Sequence, residues 1–237
     1  MKIFTPRPCR LFIFDLDGTL IDSKDDIATA VNLVLSKLEF SPLPVSRVVE
    51  FVGNGVKKLL ERTLREIHNH EPDEDLLLEG IRIFREEYAE HMLDRTRLYP
   101  GVEDALRRLS WADMAVVSNK PERYSRPILE GLGISDRFRA ILGEETAHAY
   151  KPDPAPLKLA MELCGAAPVD SVMIGDSSVD IEAGKAAGVT TCAVTGGFHT
   201  IEEILKFDPD LIVDDLRELS SFFYNGTNPG QDTDKQI

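Results

Sequence analysis

The sequence predicts an α/β protein, a doubly wound parallel sheet with a block of helices inserted after its first strand. Three observations carry this. Short runs that are apolar at every position recur along the chain, as strands covered on both faces require. Helical patterns lie between most of these runs, so crossover helices join successive strands. The interval 22–98 holds helical patterns and no convincing strand, which interrupts the alternation once, near its start.

The first run is RLFIFD (10–15), four apolar residues that end in an acidic cluster. The others are MAVVS (114–118), RAILG (139–143), SVMIG (171–175), TCAVT (191–195) and DLIVD (210–214), each bounded by polar, Gly or Pro residues. Val102, Ala105, Leu106 and Leu109 mark one helix face between them. Leu157, Ala160, Met161 and Cys164 mark another, with Pro154 and Pro156 early and Gly165 just past its end. A further helix is expected after Pro121, and Pro127 falls inside it. An interior proline costs ~3 kcal/mol, which predicts a kink or an early ending there.

Within the inserted block, Ile27, Ala30, Val31, Val34, Leu35 and Leu38 keep helical spacing. So do Val56, Leu59, Leu60, Leu64 and Ile67, and then Leu77, Ile81, Phe84 and Tyr88, with Pro42, Pro44 and Pro72 as punctuation. The expected organisation is an α/β core from 1–21 and 99–224 and a helical subdomain at 22–98. Both ends of that subdomain join the core, so it is placed to act as a lid. The tail 225–237 has Ile237 as its one apolar residue and is expected to be disordered.

A chain of 237 residues has room for a core domain and a smaller one. Its formal charge is −14, from 41 acidic and 27 basic residues, which disfavours binding to nucleic acid. The same field repels small anions, so a phosphate site must bring its own local positive charge. Cys9, Cys164 and Cys192 are far apart and odd in number, which suggests reduced thiols in a cytoplasm rather than disulfides or a zinc site. The apolar run near the start is too short for a signal peptide, and no stretch approaches the ~20 residues of a membrane span.

The chemistry concentrates at the predicted strand ends. Asp15-Leu16-Asp17-Gly18-Thr19 follows the first strand. Ligands of open α/β sheets bind outside the carboxyl ends of the strands. Residues two apart on an extended chain point the same way, so Asp15 and Asp17 can converge, and Gly18 permits the tight turn. Two carboxylates in one crevice call for a cation, and a hard divalent ion with oxygen ligands is the natural partner. Asp176 follows the SVMIG strand and adds a third carboxylate. Asp180 lies one helical turn on, as a supporting partner or as the acidic first turn of the helix itself. Ser118 and Asn119, ahead of Lys120, follow the MAVVS strand and offer a hydroxyl and N–H groups to phosphoryl oxygens. Lys151 sits in a proline-stiffened loop, Lys151-Pro152-Asp153-Pro154, that can hold its ammonium in place.

The order DxDGT, Ser-Asn-Lys, Lys-Pro, GDxxxD resembles the haloacid dehalogenase superfamily of phosphotransferases, over about residues 10–220. The resemblance implies a Rossmann-like core with an α-helical cap and Mg²⁺ as cofactor. It implies Asp15 as nucleophile, Asp17 as general acid and base whose backbone carbonyl also meets Mg²⁺, and Asp176 as metal ligand supported by Asp180. Gly18, Ser118, Asn119 and Lys151 would hold the phosphoryl group, with Ser118 and Lys151 offsetting charge during catalysis. Asp17 weighs against a dehalogenase, because a halide leaves without a proton.

Within the superfamily the chain looks most like the phosphoglycolate phosphatases, through Phe51-Val52-Gly53-Asn54-Gly55-Val56, Tyr99-Pro100-Gly101-Val102, Asn119-Lys120-Pro121 and Lys151-Pro152-Asp153-Pro154. The expected substrate is therefore a small phosphorylated metabolite, with 2-phosphoglycolate first. Gly53, Asn54 and Gly55 open a helix and, with Lys57, are the candidates for holding its carboxylate. A phosphoglucomutase-like phosphotransferase, a pyrophosphatase or another small-metabolite phosphatase would share much of this pattern. A receiver-type signalling domain shares the acidic pocket but is smaller and lacks the helical insert.

Overall fold

The computed structural model of the chain describes residues 4–226. The expectation of disorder in the tail therefore lies, from residue 227 on, outside the described residues. Six strands form the central sheet: β1 Leu11–Phe14, β2 Asp113–Val117, β3 Ala140–Leu142, β4 Ser171–Gly175, β5 Thr190–Val194 and β6 Leu211–Val213. Their order across the sheet is β3-β2-β1-β4-β5-β6, and every pairing is parallel. Each of the six apolar runs in the sequence is one of these strands.

Side chains alternate across a strand, and here both faces are buried. Phe12 and Phe14 join Met114, Val116, Val172 and Ile174 in one cluster, and Leu11 and Ile13 join Ala115, Val117 and Met173 in another. Two buried faces explain why these strands read as continuous apolar runs rather than as alternating ones.

The insert contains α1 Lys24–Lys37, α2 Val45–Val49, α3 Gly55–His68 and α4 Glu74–His91. α1 buries Ile27, Ala30, Val31, Val34 and Leu35, and α4 buries Leu77, Ile81, Phe84 and Tyr88, as the spacing predicts. At five residues, α2 is too short to show a period in the sequence.

The insert is tied off at its base. Ile21–Asp22 pairs antiparallel with Arg97–Leu98, a two-residue ladder too short to read as strand. Beside it the buried Asp26 carboxylate accepts the Arg95 N–H at 3.0 Å, the Thr96 N–H at 2.8 Å and the Thr96 hydroxyl at 2.7 Å. One side chain near the entry of the block thus fixes its exit.

The core helices include α5 Val102–Arg108, α6 Glu122–Gly131, the short α7 Glu144–Ala147, α8 Ala155–Cys164 and α9 Ser178–Ala187. α6 runs on through Pro127 to Gly131, so the early ending expected there is not found. The missing N–H is offset by burial of Tyr124, Ile128 and Leu129 on the same helix. α8 ends at Gly165, which adopts the left-handed conformation (φ 62°). The three cysteines are free and buried. Among the described residues, no helix is long and apolar enough to cross a membrane.

Candidate active site

The strand order reverses direction at β1, which lies between β2 and β4. This is where an open parallel sheet leaves a crevice at the carboxyl ends of its strands. The residue following each of the three strands enters that crevice: Asp15 after β1, Ser118 after β2 and Asp176 after β4. The four sequence segments singled out by their motifs therefore meet at one place, together with residues of the helical insert.

Lys151 is the centre of the arrangement. Its ammonium donates to Asp15 Oδ1, Asp180 Oδ1 and the Val117 carbonyl, each at 2.7 Å, and the residue is only 2% exposed. Asp180 performs both roles that its sequence position allows. Its Oδ1 holds Lys151, while its Oδ2 accepts the Ser177 N–H at 3.0 Å and the Ser177 hydroxyl at 2.5 Å as part of the capping box of α9. Asp176 is held by the Thr19 hydroxyl on Oδ1 at 3.0 Å and by the Phe198 N–H on Oδ2 at 2.7 Å. Gly18, at φ 87°, passes directly beneath it: a Cβ there would lie 2.2 Å from Asp176 Oδ2.

Asn119 lies in the crevice wall, but its side chain faces the neighbouring loop. It accepts the Lys151 N–H at 2.8 Å, and it donates to the Lys151 carbonyl at 3.0 Å and to the Gly53 carbonyl at 2.9 Å. It clamps the loop that presents Lys151 and links that loop to the insert. Ser118 is buried, and its Oγ accepts the Lys120 N–H at 3.2 Å.

Of the insert residues, Gly53 and Gly55 line the crevice. Asn54 instead accepts from Arg62 at 2.7 Å, and the exposed Lys57 ammonium lies 4.0 Å from Glu61. Neither of those two side chains is brought to the site, because α3 directs them along its own surface.

Three crevice residues were not legible as such. Lys120, the third residue of Ser-Asn-Lys, donates to Asp17 Oδ1 at 2.7 Å and to the Tyr88 hydroxyl at 2.6 Å. Tyr88 comes from α4, where the sequence marks it only as part of an apolar stripe. His199 lies with Nδ1 3.6 Å from Asp176 Oδ2, in a loop that carries no motif.

The electrostatics follow from burial. Burial pushes the Asp15 carboxyl up to about 6, with Lys151 opposing the shift and Asp180 reinforcing it. Burial also works against the charge on Lys151, but Asp15 and Asp180 outweigh it and hold the ammonium above its ordinary value. Asp15, Asp176 and Asp180 each offer an oxygen within 4.8 Å of the other two. This all-oxygen, buried donor set fits a hard divalent cation. The Asp17 carboxylate is not in that cluster; it turns instead to Lys120 and Ser23.

Comparison with known proteins agrees with this geometry. The sequence pattern of the haloacid dehalogenase-like hydrolases matches residues 12–194. A phosphoglycolate phosphatase of Pseudomonas putida is 42% identical over 222 residues, covering 92% of this chain and 81% of the relative. Phosphoglycolate phosphatase 1 of Pseudomonas aeruginosa is 39% identical over 220 residues, covering 91% of this chain and 80% of the relative. The crystal structure of a predicted phosphoglycolate phosphatase from Haemophilus somnus superposes with a TM-score of 0.84 at 32% identity, over 90% of this chain and 97% of that one.

Proposed function

The chain belongs to the haloacid dehalogenase-like hydrolases, and on that premise we propose that it is a phosphatase whose substrate is 2-phosphoglycolate, hydrolysed to glycolate and phosphate. The observation that carries the reading is the buried Lys151 ammonium, 2.7 Å from both Asp15 and Asp180 at the switch point of the sheet. A cation buried beside an acidic cluster is poised to meet phosphoryl oxygens, and Asp15 is placed to attack the phosphorus.

In this proposal Asp15 forms an aspartyl phosphate as the ester P–O bond breaks. Asp17 gives its proton to the departing alkoxide oxygen, then takes a proton from the water that hydrolyses the aspartyl phosphate. Lys151 and Ser118 hold the phosphoryl oxygens, and Asn119 keeps the Lys151 loop in place. A divalent cation, Mg²⁺ in this proposal, would be held by Asp15, Asp176 and the Asp17 backbone carbonyl, and supplies positive charge against the phosphoryl oxygens.

The crevice is lined both by core residues and by residues of the helical insert, among them Gly53, Gly55 and Tyr88, so the insert, acting as a cap, covers the place where a small phosphomonoester would bind. Buried free thiols suit a reducing, cytoplasmic setting.

The test is phosphate release from a panel of small phosphomonoesters and pyrophosphate with Mg²⁺, run alongside Asp15→Asn. The expected result is a higher kcat/KM for 2-phosphoglycolate than for the rest of the panel, and a folded Asp15→Asn variant without turnover. A low rank for 2-phosphoglycolate removes the substrate assignment. Activity retained in Asp15→Asn removes the mechanism, and an isomerised sugar phosphate in place of free phosphate points to a mutase.

A further inference from the structure

Asp17 is held by its surroundings in a way that the motif does not explain. Both of its side-chain contacts fall on Oδ1, one from the buried Ser23 hydroxyl and one from the Lys120 ammonium at 2.7 Å. Lys120 is itself braced from the helical insert, donating to the Tyr88 hydroxyl at 2.6 Å with its Nζ 4.7 Å from the Tyr88 ring centroid. The Tyr88 ring has little freedom. It is stacked on Phe84 at 5.3 Å and meets Tyr124 edge-on at 5.3 Å. Tyr124 in turn donates from the core to the Arg85 carbonyl of α4 at 3.2 Å. The chain of contacts runs from the inserted α4 through Tyr88 and Lys120 to Asp17.

We propose that Lys120, braced by Tyr88, is the positioning residue of Asp17, and that seating of the helical insert on the core completes this arrangement. Ser23 and Lys120 fix Oδ1 and leave Oδ2 to face the substrate. The proton on Oδ2 then passes to the bridging ester oxygen as the Asp15–phosphorus bond forms and the ester P–O bond breaks. With the insert lifted, Lys120 loses its hydroxyl partner and the Tyr88 ring face, and Asp17 loses its fixed orientation. Proton donation is thereby confined to the closed, water-poor form. This inference rests on the reading of Asp17 as the general acid.

Leaving-group dependence separates positioning from a merely structural role. The alkoxide of 2-phosphoglycolate needs a proton to depart, whereas 4-nitrophenolate does not. The parameter to compare is kcat/KM, which reports steps up to loss of the leaving group. Tyr88→Phe keeps the ring packing and removes only the hydroxyl, and Lys120→Met keeps the stem and removes the ammonium. The expected loss on 2-phosphoglycolate is about 10-fold for Tyr88→Phe and about 10²-fold for Lys120→Met, carried by kcat rather than KM. On 4-nitrophenyl phosphate each loss should stay within about 3-fold.

Asp17→Asn is the reference. If it too loses more on 2-phosphoglycolate than on 4-nitrophenyl phosphate, the general-acid reading stands. Equal losses on the two substrates for Lys120→Met, or none, with Asp17→Asn selective, overturn the positioning role and leave that reading intact. An unselective Asp17→Asn overturns the reading itself. Should Tyr88→Phe fold poorly, as thermal melting would show, Lys120→Met alone decides.

Discussion

Replacing Asp180 should cost stability in two separable parts, because its two oxygens do different work. Oδ2 caps α9 through the Ser177 N–H and hydroxyl, and Oδ1 is one of three acceptors around the buried Lys151 ammonium. Asp180→Ala removes both. Loss of a cap costs ~1 kcal/mol, and loss of a hydrogen bond to a buried charge costs ~1.5–3 kcal/mol. Asp180 also repels Asp15, so relief of that repulsion trims the sum. The net expectation is about 3 kcal/mol, or roughly 6–12 °C in Tm for a chain of this size. Asp180→Asn keeps an oxygen for Ser177 and loses only the charge, so it should cost about 2 kcal/mol. The assay is urea or thermal unfolding with a chelator present, so that metal binding does not enter. Changes within ~0.5 kcal/mol of the parent for both variants would refute the account of Lys151 as a buried cation dependent on this partner. An Asn variant as unstable as the Ala variant would refute the capping part alone.

Two further outcomes follow from the same geometry. Gly18→Ala should fold but lose more than about 10²-fold in kcat/KM together with Mg²⁺ affinity, because its Cβ would fall 2.2 Å from Asp176 Oδ2 at a positive φ; parent-like activity would show that the turn relaxes freely. Asp15, raised to about 6 by burial, binds a cation as its ionised form, so protonation competes with the metal: apparent Mg²⁺ affinity should be flat above about pH 7 and fall roughly tenfold per unit below about pH 6. Calorimetric titration between pH 5 and 8 reads this directly, and an affinity independent of pH down to 5 would rule Asp15 out as the controlling group.

The core was readable because burial on both faces leaves an unmistakable trace, a run such as Leu11–Phe14 that admits no polar residue until the strand leaves the sheet. The residues that follow such runs are the ones the switch point gathers, so Asp15, Ser118 and Asp176 could be found from position alone. Lys151 was legible only by its company, since a single lysine in a proline-rich loop carries no signal of burial. Asn119 illustrates what position does not convey. Its backbone N–H stays the candidate for a phosphoryl oxygen, while its side-chain amide has a separate task, engaged with the Lys151 and Gly53 backbones. Lys57 illustrates the same limit on a helix, where the first turn has a definite end but its side chains take their direction from neighbours. Tyr88 was hidden because its hydroxyl, which meets Lys120, extends from a ring that the hydrophobic pattern counts as core.

The charge of the crevice also explains how a protein of formal charge −14 can accept an anion. Four carboxylates, Asp15, Asp17, Asp176 and Asp180, face two ammoniums, Lys120 and Lys151, and each ammonium is hydrogen-bonded to at least one of the carboxylates. The carboxylates outnumber the ammoniums, with His199 beside Asp176 as a further titratable group, so a bound cation would add the positive charge that an anion needs. Burial, reinforced by the Asp180 charge, pushes the Asp15 carboxyl up to about 6 despite Lys151 beside it. A cation bound there would favour the ionised form of Asp15, the form that the proposed attack requires. Most of the other ion pairs are exposed and screened, including Arg82 with Glu79 and Glu86. The surface field is therefore weakened by salt, whereas the buried set is not. Under the proposed function, anion recognition depends on this local balance of side chains and cation rather than on the net charge of the chain.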